Sequence, residues 1–235
     1  MVKSSNIGTA RLAAMIGADR QRAFLRKFGL LDLTGVELPE ASRAKPQIPK
    51  KWSRLSTATI SYGHGISVSP LHIATAYSAI VNGGKKVIPT LVKDSKRNLE
   101  PVRIISPDTS SMLQNILTEV VKSGTARNAS LDDYSIGGKT GTADKVNFKQ
   151  SGYHDDKVIT TFVAAFPMER PRYVLVVTLD EPEDWSIDKP MRTAGWTAVP
   201  VATEIIKRIA PVLGLKPNTM LKKPNSGTPL GRTLN

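Results

Sequence analysis

Apolar residues recur at helical spacing in the first half of the chain and at its end, and as short β-rich runs in between. From Thr9 to Phe28, the residues Leu12, Met15, Ile16, Phe24, Leu25 and Phe28 fall mostly three or four apart, which predicts one long helix stopped by Gly29. Leu30 to Lys51 holds Gly35, Pro39, Pro46 and Pro49 and reads as an irregular excursion. Pro70 to Val81 predicts a second helix, with Pro in its first turn, Leu71, Ala74, Tyr77, Ser78 and Val81 on one face, and Asn82-Gly83-Gly84 past its end. Short strands are expected at Lys86–Val92 and Val102–Ile105. A third helix is expected at Pro107–Lys122, with Ser106 as N-cap and Met112, Leu113, Ile116, Leu117 and Val120 as its stripe.

The second half changes character. Ser135–Ala143, Val158–Pro167 and Tyr173–Leu179 read as three successive strands whose connections suit antiparallel hairpins. The polar stretch Asp144–Lys157 reads as a mobile loop between the first two. Thr193–Leu213 predicts a closing helix, with Pro200 and Pro211 as irregularities. The division is a body over 1–215 and a basic, Pro/Gly-rich disordered tail over 216–235. Helices first, a hairpin set second and a helix packed back on the sheet make the fold class α+β.

Composition narrows the chemistry. The 235 residues contain no cysteine, so disulfides and thiolate metal sites are excluded. His64, His72 and His154 lack metal-ligand spacing, so neither a metal nor another cofactor is expected. No apolar run approaches a membrane span, and the first 25 residues do not read as a signal peptide, so the sequence as written offers no route out of the cytoplasm. The net charge of +13 points to an anionic partner. The basic clusters are not interleaved with aromatics, which are only 6% of the chain, so nucleic acid is not the expected partner.

Two short motifs carry the candidate chemistry. Lys139-Thr140-Gly141-Thr142 follows Gly137-Gly138 on the first predicted strand. Period two puts Lys139 and Gly141 on one side and the two hydroxyls on the other. Gly141 leaves room for a ligand backbone, and the ammonium and hydroxyls suit a carboxylate. Lys122-Ser123-Gly124-Thr125-Ala126 is a near copy, but it follows a helix, where Gly124 reads as an ordinary C-cap, so it is set aside as a decoy. Ser4-Ser5-Asn6 precedes the first helix and, taken alone, reads as capping.

Ser-x-Asn followed by Lys-Thr-Gly resembles two of the three signature motifs of penicillin-binding proteins and serine β-lactamases. The resemblance extends to Tyr62-Gly63-His64-Gly65 with Ser69-Pro70-Leu71, to Phe24–Leu30, to Gly124-Thr125-Ala126, to Leu179-Asp180-Glu181-Pro182 and to Thr193-Ala194-Gly195-Trp196. Over residues 2–215 the chain resembles the septal, cell-division type of class B penicillin-binding protein, a D,D-transpeptidase. The family's first motif, Ser-x-x-Lys, belongs upstream of Ser-x-Asn. The strings Ser42/Lys45 and Ser186/Lys189 both lie downstream of it with proline directly after the lysine, so neither is read as the nucleophile.

The resemblance implies a truncated transpeptidase fold, with three antiparallel strands retained and the first strands and nucleophile helix missing. It implies acyl transfer through a serine ester, with D-Ala-D-Ala stem peptides and β-lactams as ligands. Ser4 would relay protons, Asn6 would orient the substrate amide, and Lys139 would set the positive potential. Thr140 and Thr142 would hold the terminal carboxylate beside Gly141, and the Thr142 N–H would form half of an oxyanion hole. The parent family sits in the inner membrane with a periplasmic catalytic domain. Alternative readings are a non-catalytic fragment that binds division or cell-wall proteins, and a basic nucleic-acid binder.

Overall fold

The structure, a computed structural model, describes residues 1–93, 100–147 and 152–218. Capping residues set the helix boundaries in the first half. Ser5 caps α1 (Asn6–Ile16), its hydroxyl accepting the Gly8 N–H at 3.1 Å. Gly17, at φ 84°, then breaks the single helix expected over Thr9–Phe28, and α2 (Ala18–Lys27) restarts after it. Without a Cβ, glycine enters this left-handed region at no steric cost. The expected stripe is not a core face either: Leu12, Met15, Ile16 and Phe24 are exposed, and Phe28 is its one fully buried member. Helical spacing makes a helix, but burial needs an opposing element, and α1 packs only against α2 and a short helix, α3 (Arg54–Ile60).

The spacing of apolar residues gave no sign of α3. It holds Ser56, Thr57 and Thr59 among its seven residues and is started by Ser53, whose hydroxyl accepts the Ser56 N–H at 3.1 Å. Helix α4 (Pro70–Val81) matches its expected bounds. Ser69 and His72 form a capping box, and the buried His72 ring bonds the Asp32 carbonyl at 2.8 Å through Nε2. Strand β1 (Lys85–Lys86) stops well short of Val92, with Pro89 unable to donate to a ladder, and it pairs with β2 (Val102–Arg103). Ser106 caps α5 (Pro107–Ser123).

The main sheet is β3 (Gly137–Val146), β4 (Tyr153–Phe166) and β5 (Tyr173–Asp180), antiparallel in that order. Helices packed around an antiparallel sheet match the expected α+β class. Register pairs Lys139 with Val163 and Thr142 with Thr160. The hairpin runs further than expected. Between Asp144 and Lys157 both strands continue, to Val146 and from Tyr153, past a register shift, and residues 148–151 lie outside the described part. A ladder that faces solvent needs backbone pairing rather than apolar side chains, so polar residues extend it.

The inner half of β4 reads as a continuous apolar run because both of its faces are covered. Phe162, Ala164 and Phe166 meet Val199, Ala202 and Ile206 of α6 (Ala198–Val212), while Ala165 on the other face meets Val81 and Leu117. Helix α6 starts five residues later than expected, because Thr193–Thr197 forms a turn closed by Trp196 N–H to Thr193 O at 2.9 Å. Pro200 fits the first turn of α6, where an N–H has no helical acceptor.

At the far end of the sheet Lys145 bonds Asp180 at 2.9 Å and Glu181 at 2.7 Å, and Lys157 bonds Glu181 at 2.9 Å. These bonds hold the Glu181 carboxyl down at about 2. The outer edge of β5 has no strand partner among the described residues. Of the expected tail, residues 216–218 remain tied to the body through the Asn218 N–H and the Asp133 carbonyl at 2.7 Å, and 219–235 lie outside the described residues. No helix among the described residues is long and apolar enough to cross a membrane.

Gly138 sits under the sheet's tightest approach, where a Cβ would lie 2.5 Å from the Val163 carbonyl and 2.7 Å from the Phe162 ring. Gly138→Ala is therefore expected to cost about 1–3 kcal/mol, read as a lowered midpoint in urea or thermal unfolding.

Candidate active site

A cleft of about 910 Å³ runs between the start of α1, the loop after α5, strand β3 and the turn before α6. Its lining includes Ser4, Asn6, Lys139, Thr140, Gly141 and Thr142, so the two sequence motifs form adjoining walls. The contact that joins them is direct. Lys139 Nζ donates to Ser4 Oγ at 2.8 Å, across 135 residues of sequence, and to the Thr140 carbonyl at 2.8 Å.

The capping reading of Ser4-Ser5-Asn6 holds for its middle residue. Ser5 takes the capping role, which frees Ser4 and Asn6 for the cleft. Ser4 stands at φ 51°, a left-handed conformation that costs a side-chain-bearing residue about 1–2 kcal/mol. The Ser4 N–H bond to Met1 O at 3.0 Å and the lysine contact hold it there. The exposed Asn6 side chain makes no hydrogen bond among the described residues.

The strand alternation places the remaining groups. Thr140 Oγ1 lies 2.6 Å from Thr125 Oγ1, and Thr142 Oγ1 accepts the Ala194 N–H at 3.0 Å, which leaves its own O–H free to donate. Thr160, opposite Thr142, is fully buried and bonded to Thr197 at 3.1 Å, which fixes the floor beneath. A Cβ built at Gly141 would find its nearest neighbour, the Thr161 carbonyl, 3.9 Å away. Packing within the protein therefore does not require glycine here, in contrast to Gly138.

Burial lowers the Lys139 pKa by desolvating the ammonium. Burial also pushes the Tyr77 phenol, on the cleft lining, up to about 12, so it stays neutral. Lys3, Arg127 and Lys139 give the described lining three permanent or near-permanent cations and no carboxylate. The described lining is therefore positively charged. Among the described residues no group of histidines and carboxylates has the geometry of a metal site.

The segment set aside as a decoy is one of the walls. Gly124, Thr125, Arg127 and Asn128 all line the cleft, Thr125 bonds Thr140, and Asn128 Nδ2 bonds the Gly195 carbonyl at 3.0 Å. Its signal lay in the resemblance, while helix-end spacing alone showed only a cap. Tyr62 and His64 form the opposite side, where the imidazole packs 5.4 Å from Tyr62 and 5.7 Å from Tyr153. Neither Ser-x-x-Lys string reaches the cleft. Ser42 bonds the Pro39 carbonyl at 2.7 Å and Ser186 bonds Asp184 at 2.9 Å.

The family model of the penicillin-binding protein transpeptidase domain matches residues 1–207. A probable peptidoglycan D,D-transpeptidase FtsI of Caulobacter vibrioides is 37% identical over 93% of this chain and 38% of its own length. Penicillin-binding protein PbpB of Mycolicibacterium smegmatis is 34% identical over 97% of this chain and 36% of its own length. Among solved structures, penicillin-binding protein 3 of Mycobacterium tuberculosis complexed with ampicillin superposes with a TM-score of 0.82 at 30% identity, over 97% of this chain and 52% of that one. The apo transpeptidase domain of penicillin-binding protein 3 from Burkholderia pseudomallei gives 0.77 at 32% identity, over 91% and 63%. The chain thus spans well under half the length of these curated relatives.

A lysine whose folded pKa is lowered binds fewer protons folded than unfolded, so it makes stability rise with pH until the unfolded lysine titrates near 10.5. In urea titrations across the alkaline range below 10.5, the wild-type midpoint is expected to climb relative to that of Lys139→Met. Parallel pH profiles would contradict the burial of this charge.

Proposed function

The chain belongs to the penicillin-binding protein transpeptidase domain family, and on that footing we propose that it forms the substrate-holding and proton-handling walls of a site that cross-links peptidoglycan stem peptides. The observation that carries this reading is the 2.8 Å contact between Lys139 and Ser4 inside a carboxylate-free cleft. In such a reaction a serine oxygen attacks the carbonyl between two D-alanines, and the terminal D-alanine leaves with a proton. The amine of a second stem then attacks the ester, forms the new amide and returns the proton to the serine. The relative solved with ampicillin supports a cleft that also accepts β-lactams.

Each group has a task that its surroundings favour. The Thr142 O–H, with its acceptor side occupied by Ala194, points its donor at the substrate carboxylate, and Thr140 is held next to it by Thr125. Gly141, open to 3.9 Å, lets the peptide lie against β3 as an added strand. The Thr142 N–H supplies one oxyanion donor. Lys139 stabilises developing negative charge, and its lowered pKa eases proton exchange with Ser4, which relays to the leaving amine. Asn6 aligns the substrate amide. We place this chemistry in the periplasm, where stem peptides are cross-linked, and assign the nucleophilic Ser-x-x-Lys to a polypeptide segment other than residues 1–235. Contacts with other division or cell-wall proteins belong to that longer assembly.

Incubation of the isolated chain with a fluorescent penicillin, followed by a denaturing gel, is expected to show no covalent band. A chimera that joins the chain to the upstream part of the Caulobacter vibrioides relative is expected to show one. Lys139→Ala in the chimera should slow acylation by about 10²–10⁴-fold, and an unlabelled chimera would refute the assignment. Gly141→Ala is expected to keep the thermal midpoint of the chain and to abolish binding of a D-Ala-D-Ala peptide, the reverse of what a packing role would give.

A further inference from the structure

Arg127 has no role in the acyl-transfer chemistry, yet it stands in the cleft wall without an ionic partner among the described residues. What sets it apart from the other arginines without an ion pair is its place in the cleft lining, where no carboxylate side chain is described beside it. The backbone that carries Arg127 is rigid. Ala126 and Ala129 on either side are fully buried, Ala129 N–H bonds Ala126 O at 2.8 Å, and Asn128 is pinned to Gly195. Two residues before it, Thr125 bonds Thr140, so Arg127 lines the same cleft from the segment that leans on the hydroxyl-bearing part of β3. Lys3 stands on the same wall, because Gly124 packs against Val2 so closely that a Cβ would lie 2.8 Å from the Val2 carbonyl.

We propose that Arg127, supported by Lys3, binds a second carboxylate of the substrate, one residue back from the terminal D-Ala-D-Ala. The inference rests on the stem-peptide reading and specifies it: the preferred donor is a dianionic peptide with one carboxylate on Thr140 and Thr142 and the other on the Arg127 fork. An unpaired guanidinium can take a carboxylate through two parallel N–H···O bonds. The cations of the wall attract anions, and no acidic side chain in the described lining competes.

The test is direct binding by calorimetry, with N-acetyl-Glu-D-Ala-D-Ala and the near-isosteric, singly charged N-acetyl-Gln-D-Ala-D-Ala. The wild-type chain is expected to prefer the Glu peptide by about tenfold. Arg127→Ala should erase that preference by weakening only the Glu peptide, and Arg127→Lys should restore it in part. Thr140→Val should weaken both peptides alike. Circular dichroism and thermal melts establish that each variant is folded. Equal affinity of the wild type for the two peptides, or equal loss of both in Arg127→Ala, would overturn the second subsite while leaving the stem-peptide reading standing. A wild-type chain that binds neither peptide would overturn both.

Discussion

The register of β3 on β4 decides where every chemical group of the cleft lies. With Gly138 opposite Ala164 and Thr142 opposite Thr160, one face of β3 turns its hydroxyls towards Thr125 and Ala194, and the other carries the lysine to Ser4. A slip of one residue would exchange the two faces. The slip is blocked where the strands enter the core, because Gly138 admits no side chain against Val163 and Phe162. The packing of the sheet on α6 and on the α4–α5 pair therefore acts on function through one strand pairing.

Local punctuation was the readable part of this fold. Ser69-Pro70 and Asn82 bracket α4 to the residue, and Ser106-Pro107 starts α5 as expected. Where a boundary depended on tertiary structure it was misplaced. The apolar spacing over Thr9–Phe28 runs through Gly17 without a sign of the break that its φ of 84° makes, and the polar residues 144–157 read as a loop because no alternation shows that their backbones pair. Seven residues of Ser/Thr-rich sequence gave α3 no stripe to detect.

The site divides in the same way. Lys139-Thr140-Gly141-Thr142 has a strand's alternation written into it, and its groups point as that alternation requires. Thr125 and Asn128 were hidden behind a correct local reading. Gly124 does end a helix, and nothing in residues 122–126 shows that the next turn of chain leans on a strand fifteen residues later. Motif resemblance reached Thr125, through Gly124-Thr125-Ala126, and Asn128 was not singled out at all.

The sheet is fastened by different physics at its two ends. The inner end is steric and dry, with Gly138, Phe162 and Ala165 between helices. The outer end is ionic, with Lys145 and Lys157 clasping Asp180 and Glu181 at the partly exposed surface. Dissolved ions screen the second and scarcely touch the first. Ionic strength therefore acts on the outer end of the sheet, where Tyr153 of β4 packs on His64 of the cleft lining, and leaves the inner end as it is.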